Sequence, residues 1–165
     1  MSDISSSSNL SLEEANILIT EFMNKNKLMV LSSIDSNNSN QPSSALVGFA
    51  TDIDDITHHG FIMDTLTITR KYANMTKNPH VSCVLLDKEG EQTQKTIQIN
   101  GFAKELKEDN AENTRLKEIY WKRTGDGRKN WENICYFHIT PTWLRYTDFA
   151  HMVQGKPAKF EIQYK

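Results

Sequence analysis

The sequence has no apolar run approaching the roughly 20 residues that cross a bilayer. Its first residues, MSDISSSSNLSLEE, lack the basic, then apolar pattern of a secretory leader. Both absences predict a soluble, cytoplasmic protein. Positive charge is not in excess either: 19 Lys and Arg stand against 21 Asp and Glu, a formal net charge of -2. That balance argues against nucleic acid or an anionic membrane as partner, and any anion site has to be local. Cysteine is scarce. Cys83 and Cys135 each sit in an apolar, strand-like run, which suits two buried, reduced thiols better than a disulfide or a metal centre. No Ser-His-Asp order, P-loop, dinucleotide fingerprint or solenoid repeat is present.

A chain of 165 residues, 38% hydrophobic, is long enough for one core and too short for two ordinary domains. The Ser-rich residues 1–10 have little to bury and are expected to form a flexible tail, with 11–165 as a single domain. Ser11 followed by Glu14 predicts a capping box, and Leu12, Ala15, Ile19, Phe22 and Met23 give the helix after it one apolar face. LMVLSSI, SSALVGFA and GFIM then read as three strands. A short helix opens near Thr69 and stops before Asn78-Pro79. HVSCVLL and KTIQINGFAKEL follow as longer strands, the second alternating through Ile97, Ile99, Gly101 and Ala103. Residues 110–123 return to helical spacing before Gly125, and ICYFHITPTWLRYTDF alternates again, with Pro141 marking a bulge or an edge. Strand and helix do not alternate as a parallel sheet requires. A mainly β, α+β fold results, an antiparallel barrel with flanking helices.

One detail conflicts with helix electrostatics. With Thr69 as N-cap, Arg70 and Lys71 fall in the first turn, where a cation costs up to about 1 kcal/mol. A phosphate offsets that, because free backbone N–H groups, the Thr69 hydroxyl, a guanidinium and an ammonium converge on one anion. The competing reading has both side chains solvated or paired with Asp64.

The run FIMDTLTITRKYANMTKNPHVSCVLL, preceded by QPSSALVGFA and followed by IQINGFAKEL, resembles the pyridoxamine 5'-phosphate oxidase-like family of FMN-binding split β-barrels. The resemblance covers about Leu28 to Tyr146 and implies that Thr69, Arg70 and Lys71 grip the FMN phosphate. It further implies ring contacts along Ala45, Leu46 and Val47, and flanking contacts from Met63, Asp64 and Thr65. Gln98 is expected near the ribityl or phosphate region. The family's site lies between two subunits, which implies a homodimer with Trp143 or Arg145 contributed by the other chain. The activity that the resemblance implies is that of an FMN-dependent oxidoreductase acting on a small molecule, with NAD(P)H a possible donor. Two alternatives stay open: a non-catalytic, stress-related flavin-binding protein, and a haem-binding or haem-degrading relative.

Three departures qualify the resemblance. The stretch between Met63 and Arg70 is longer than in the closest oxidase pattern, which predicts displacement of Asp64 and Thr65 from the ligand. Ala45 stands where true pyridoxamine phosphate oxidases carry a phosphate-gripping arginine, and their Arg-rich C-terminal substrate segment has no counterpart in QGKPAKFEIQYK. The eponymous oxidation is therefore not expected. Of the other candidates, His58 and His59 beside Asp52, Asp54 and Asp55 read as a solvated loop, not a metal site, and His138 and His151 as hydrogen-bonded histidines. GDGRKN reads as a turn before Trp131, and Trp121, Trp131 and Trp143 as core or interface residues.

Overall fold

The computed structural model describes residues 10–35, 37, 41–53, 59–89 and 92–164. Most of the expected tail, together with Asp54, Asp55 and His58, lies outside the described residues.

Helix α1 (Leu12–Lys25) starts on the capping box: the Ser11 amide donates to Glu14 Oε2 at 2.9 Å and the Glu14 amide to Ser11 Oγ at 3.3 Å. It buries Ala15, Ile19, Phe22 and Met23, while Leu12 stays exposed at the first turn. Then come β1 (Leu28–Ile34), β2 (Pro42–Gly48), β3 (Ala50–Ile53), β4 (His59–Leu66) and α2 (Arg70–Lys77). The chain continues through β5 (His80–Glu89), β6 (Gln92–Glu105), α3 (Ala111–Thr124), a 3-10 turn (Asp126–Arg128) and β7 (Ile134–Asp148). It finishes with α4 (Phe149–Val153) and β8 (Lys159–Gln163).

All pairings are antiparallel, in the order β2-β1-β5-β6-β7-β4-β3, with β8 also on β7. The long β7 splits its second edge: Ile134–Ile139 pair with β4, and Trp143–Thr147 pair with β8. Between the halves the β6 register slips at Asn100/Gly101 opposite Pro141, the bulge that a residue without an amide N–H invites. The sheet curls into an antiparallel split barrel around Phe22, Met29, Leu31, Phe137, Tyr146 and Phe160, all buried. A smaller cluster packs Leu116 and Tyr120 of α3 on Ala50, Ile62 and Tyr136.

SSALVGFA is two strands rather than one. Phe49 breaks it: its amide donates to Lys27 O at 3.3 Å and its ring, fully buried, packs on Phe61 at 5.9 Å. The chain thus leaves the β1 edge and joins β4, so β2 ends at the mouth of the gap between them. The helix after Asn110 stops where expected, at Gly125 with φ 83. The Cys83 and Cys135 thiols are free and buried, which pushes both up to about 12, so they stay protonated at neutral pH. Neither α4 nor β8 is evident in the sequence; β8 is short, with only Phe160 and Ile162 alternating inward.

One register row crosses six strands on the face opposite the core: Leu46, Val30, Val84, Gln98, Arg145 and Glu161 are successive cross-strand partners. Its β2-β1-β5 end, with Leu28 and Leu86, leaves apolar surface open: Leu28, Leu46 and Leu86 are 54%, 66% and 42% exposed.

Candidate functional site

Thr69 caps α2 with extended backbone (φ -88, ψ 152), its hydroxyl accepting from the Tyr72 amide at a long 3.4 Å and donating to Leu66 O at 2.8 Å. The Thr65 and Thr69 hydroxyls sit 2.9 Å apart, so the end of β4 and the start of α2 are laced together. Deeper in, Asn74 is fully buried and donates to Ser33 Oγ at 3.1 Å, Met75 joins the core and Tyr72 packs edge-on to Phe137. The helix is therefore anchored by its far face, and its N-terminus borders a cleft of about 230 Å³.

Leu46, Val47, Asp64, Thr65, Thr69 and Lys71 all line that cleft. Asp64 and Thr65, expected to be displaced from the ligand, line the cleft, because β4 runs on to Leu66 and the turn after it is closed by the Thr69 amide on Leu66 O. Ala45 packs against the core and Met63 is fully buried in it. Arg70 is exposed and outside the lining, since its position on the helix turns it toward solvent. Gln98, Trp143 and Arg145 are also outside it, on the outward row of β6 and β7.

Two residues complete the wall that sequence reasoning assigned to a turn and to core or interface. Arg128, at the end of the 3-10 turn, puts Nη1 3.1 Å from Asp64 Oδ1 and Nη2 3.4 Å from the Tyr120 hydroxyl; Trp131 lies beside it, 5.9 Å from its guanidinium to ring centroid. The signal available was a basic residue inside GDGRKN, with nothing local to say which way it faced.

Asp64 is the most telling group here. Its side chain is 5% exposed, one oxygen holds Arg128, and the other, Oδ2, is buried with no hydrogen-bond partner among the described residues. Burial pushes its carboxyl up, against the opposing pulls of Arg128, the Tyr120 hydroxyl and Lys71. Arg70 and Lys71 form no ion pair or hydrogen bond among the described residues. The cleft thus offers an ammonium and a guanidinium as donors for an anion; the Thr69 hydroxyl proton is already on Leu66 O, which leaves the Thr65 hydroxyl to donate to Thr69 Oγ.

The histidines give no cleft ligand among the described residues. His138 is half-buried in β7, and its buried Nε2 has no partner among the described residues, unlike the hydrogen-bonded histidine expected. His151 Nδ1 lies 3.2 Å from Pro157 O. Asp52 is taken up by Arg115 through contacts of 2.9 and 2.6 Å, and no group of metal-ligating side chains occurs among the described residues. No helix there is long and apolar enough to cross a membrane.

Among solved structures, the chain is similar to the haem storage protein HutZ from Vibrio cholerae, at 21% identity and TM-score 0.65, covering 80% of this chain and 91% of that one. It is similar to a FAD-binding protein from Mesorhizobium loti, at 18% identity and TM-score 0.62 over 87% and 96% of the two chains. General stress protein 26 from Bacillus anthracis matches at 22% identity and TM-score 0.57 over 78% and 89%. No curated protein matches the sequence. The family model described as pyridoxamine 5'-phosphate oxidase matches residues 17–148, a span that takes in β2, β4, α2 and all of the cleft's lining. The chain belongs to the pyridoxamine 5'-phosphate oxidase family.

Proposed function

We propose that this chain is an FMN-binding oxidoreductase that works as a homodimer on a small molecule, with its flavin in a cleft completed by the partner protomer. The observation that carries the reading is Lys71: a cation in the first turn of α2, beside the Thr69 hydroxyl, lining a cleft and in no ion pair or hydrogen bond among the described residues. A phosphate removes the electrostatic cost of that placement. Arg128 supplies a second cation to the same cleft. Arg70, on the solvent side, contributes less than Lys71 in this reading.

The homodimer is supported by size and by surface. About 230 Å³ falls short of the roughly 300–1,000 Å³ typical of a pocket that encloses a small-molecule ligand. Leu46 belongs both to the cleft and to the exposed apolar face of β2, β1 and β5, and that face continues in register to Gln98 and Arg145. A second copy seated there covers the apolar patch and brings Gln98, Trp143 or Arg145 to the first copy's flavin. Bound FMN would supply hydride or single-electron transfer at its ring, while the protein binds, orients and shields it.

Purified protein tests this directly. A flavin spectrum with one FMN per protomer, and bleaching on anaerobic NADPH, is the expected result. Bound flavin that no nicotinamide bleaches supports a binding or stress-linked protein instead. A Soret band without flavin overturns the reading in favour of haem. Lys71→Ala is expected to weaken FMN binding by about 1.5–3 kcal/mol, the range for a bond to a charged group, and Arg70→Ala by less. Unchanged affinity in Lys71→Ala removes the phosphate assignment.

A further inference from the structure

Resting on that shared-site reading, we propose that Glu161 of β8 is a positioning residue that fixes Trp143 and Arg145 for the partner protomer's flavin. The family model ends at residue 148, so β8 lies beyond it.

The geometry is a divided carboxylate. Glu161 Oε1 accepts from Trp143 Nε1 at 2.9 Å, and Oε2 accepts from Arg145 Nε at 3.0 Å. Trp143 and Arg145 are two apart on one strand and so share a face, and Glu161 stands in direct register with Arg145 across the β7–β8 pair. The Arg145 guanidinium also lies 4.9 Å from the Trp143 ring centroid, so indole and guanidinium hold each other as well as the carboxylate. Only Nε of Arg145 is engaged: among the described residues its two Nη groups have no hydrogen-bond partner. A long, rotamer-rich side chain is thereby held at its neck with its fork free, beside an aromatic plane. That is the form a guanidinium takes when it meets an acceptor-rich planar edge at low ordering cost.

The cluster is cationic overall. Lys159 Nζ is 3.8 Å from Glu161 Oε2, so two positive groups face one carboxylate. Its neighbours in the row are Gln98 and, further on, the apolar Val84, so Glu161, already shared by Trp143, Arg145 and Lys159, is the row's one negative group. An exposed salt bridge with no function contributes little, and its loss then changes nothing beyond itself. A positioning role makes a different prediction, because Trp143 and Arg145 lose their orientation together.

The test combines apo protein with FMN titration. In a nitrogen-15 correlation spectrum, the Trp143 indole resonance, assigned by its loss in Trp143→Phe, is expected to move and to lose exchange protection in Glu161→Ala. FMN affinity is expected to fall about tenfold in Glu161→Ala and less in Glu161→Gln, whose amide oxygen still accepts from the indole. The melting temperature and dimer mass should stay at wild-type values. In an Arg145→Ala background, Glu161→Ala is expected to cost less than it does alone, since only the Trp143 bond remains to be lost. An unmoved indole resonance, wild-type FMN affinity in Glu161→Ala, or a full additional loss in the Arg145→Ala background overturns the proposal. Wild-type protein that is monomeric or binds no FMN overturns the shared-site reading itself, and this assignment with it.

Discussion

At the scale of single residues, the Asp64–Arg128 pair shows how a cleft can hold a carboxylate without repelling an anion. Asp64 is buried with one oxygen unsatisfied, and Arg128, half exposed, is its counter-charge at 3.1 Å. Replacing Arg128 by Ala leaves that charge without its partner, and the loss in urea unfolding at pH 7 is expected to be about 1–3 kcal/mol. The pH dependence has a definite sign. Asp64 has a raised folded pKa, so between its unfolded and folded values the native state holds the extra proton. Losing Arg128 raises that value further, so the cost is largest where Asp64 must be charged and shrinks as the pH falls toward the ordinary carboxylate range. A deficit that stays constant down to that range contradicts this. A second residue-scale prediction concerns Gly60, where an added Cβ would overlap His138 Nε2. Gly60→Ala must push the half-buried imidazole aside, at a cost of about 1–3 kcal/mol, and His138→Ala should recover most of it. Additive losses in the double variant would mean that the two positions do not meet.

Among the elements, α2 turns local chemistry into a site. Thr69→Ala removes its N-cap, and because the existing bond is a long 3.4 Å the loss should fall at the low end of about 0.5–2 kcal/mol in thermal or urea unfolding. FMN binding should weaken with it, since the same hydroxyl borders the cleft; a variant that loses stability alone takes Thr69 out of the ligand site. This element was legible in the sequence because its signals are local: a threonine cap, a basic pair and a terminating Asn-Pro. The strands were legible by alternation, and β1 matches LMVLSSI residue for residue. Phe49 was not, because its break comes from a bond to Lys27 and a ring buried on Phe61, both distant in sequence. Arg128 and β8 escaped for the same reason. A turn gives no periodicity from which to infer where its side chain points, and a five-residue strand gives almost none.

At the scale of the molecule, the outward row from Leu46 to Glu161 connects the cleft, the apolar patch and the clamped arginine on one surface. Leu46→Glu with Leu86→Glu places charge in the patch while leaving the core alone, as both side chains are exposed in the single chain. The circular dichroism spectrum and melting curve of the pair variant should stay native-like, while sedimentation shows a shift from dimer to monomer and FMN affinity falls with it. A dimer that survives both charges means that another face joins the copies.

The central claim is that the start of α2 receives a phosphate, and the most direct measurement is a paired titration of the wild-type protein with FMN and with riboflavin, repeated on Lys71→Ala. If the phosphate anchors the ligand, FMN binds the wild type about ten- to a hundredfold more tightly than riboflavin, as one or two charge-assisted bonds require, and most of that ratio disappears in Lys71→Ala. Equal affinities for the two flavins in the wild type, or a ratio untouched by the substitution, would contradict it.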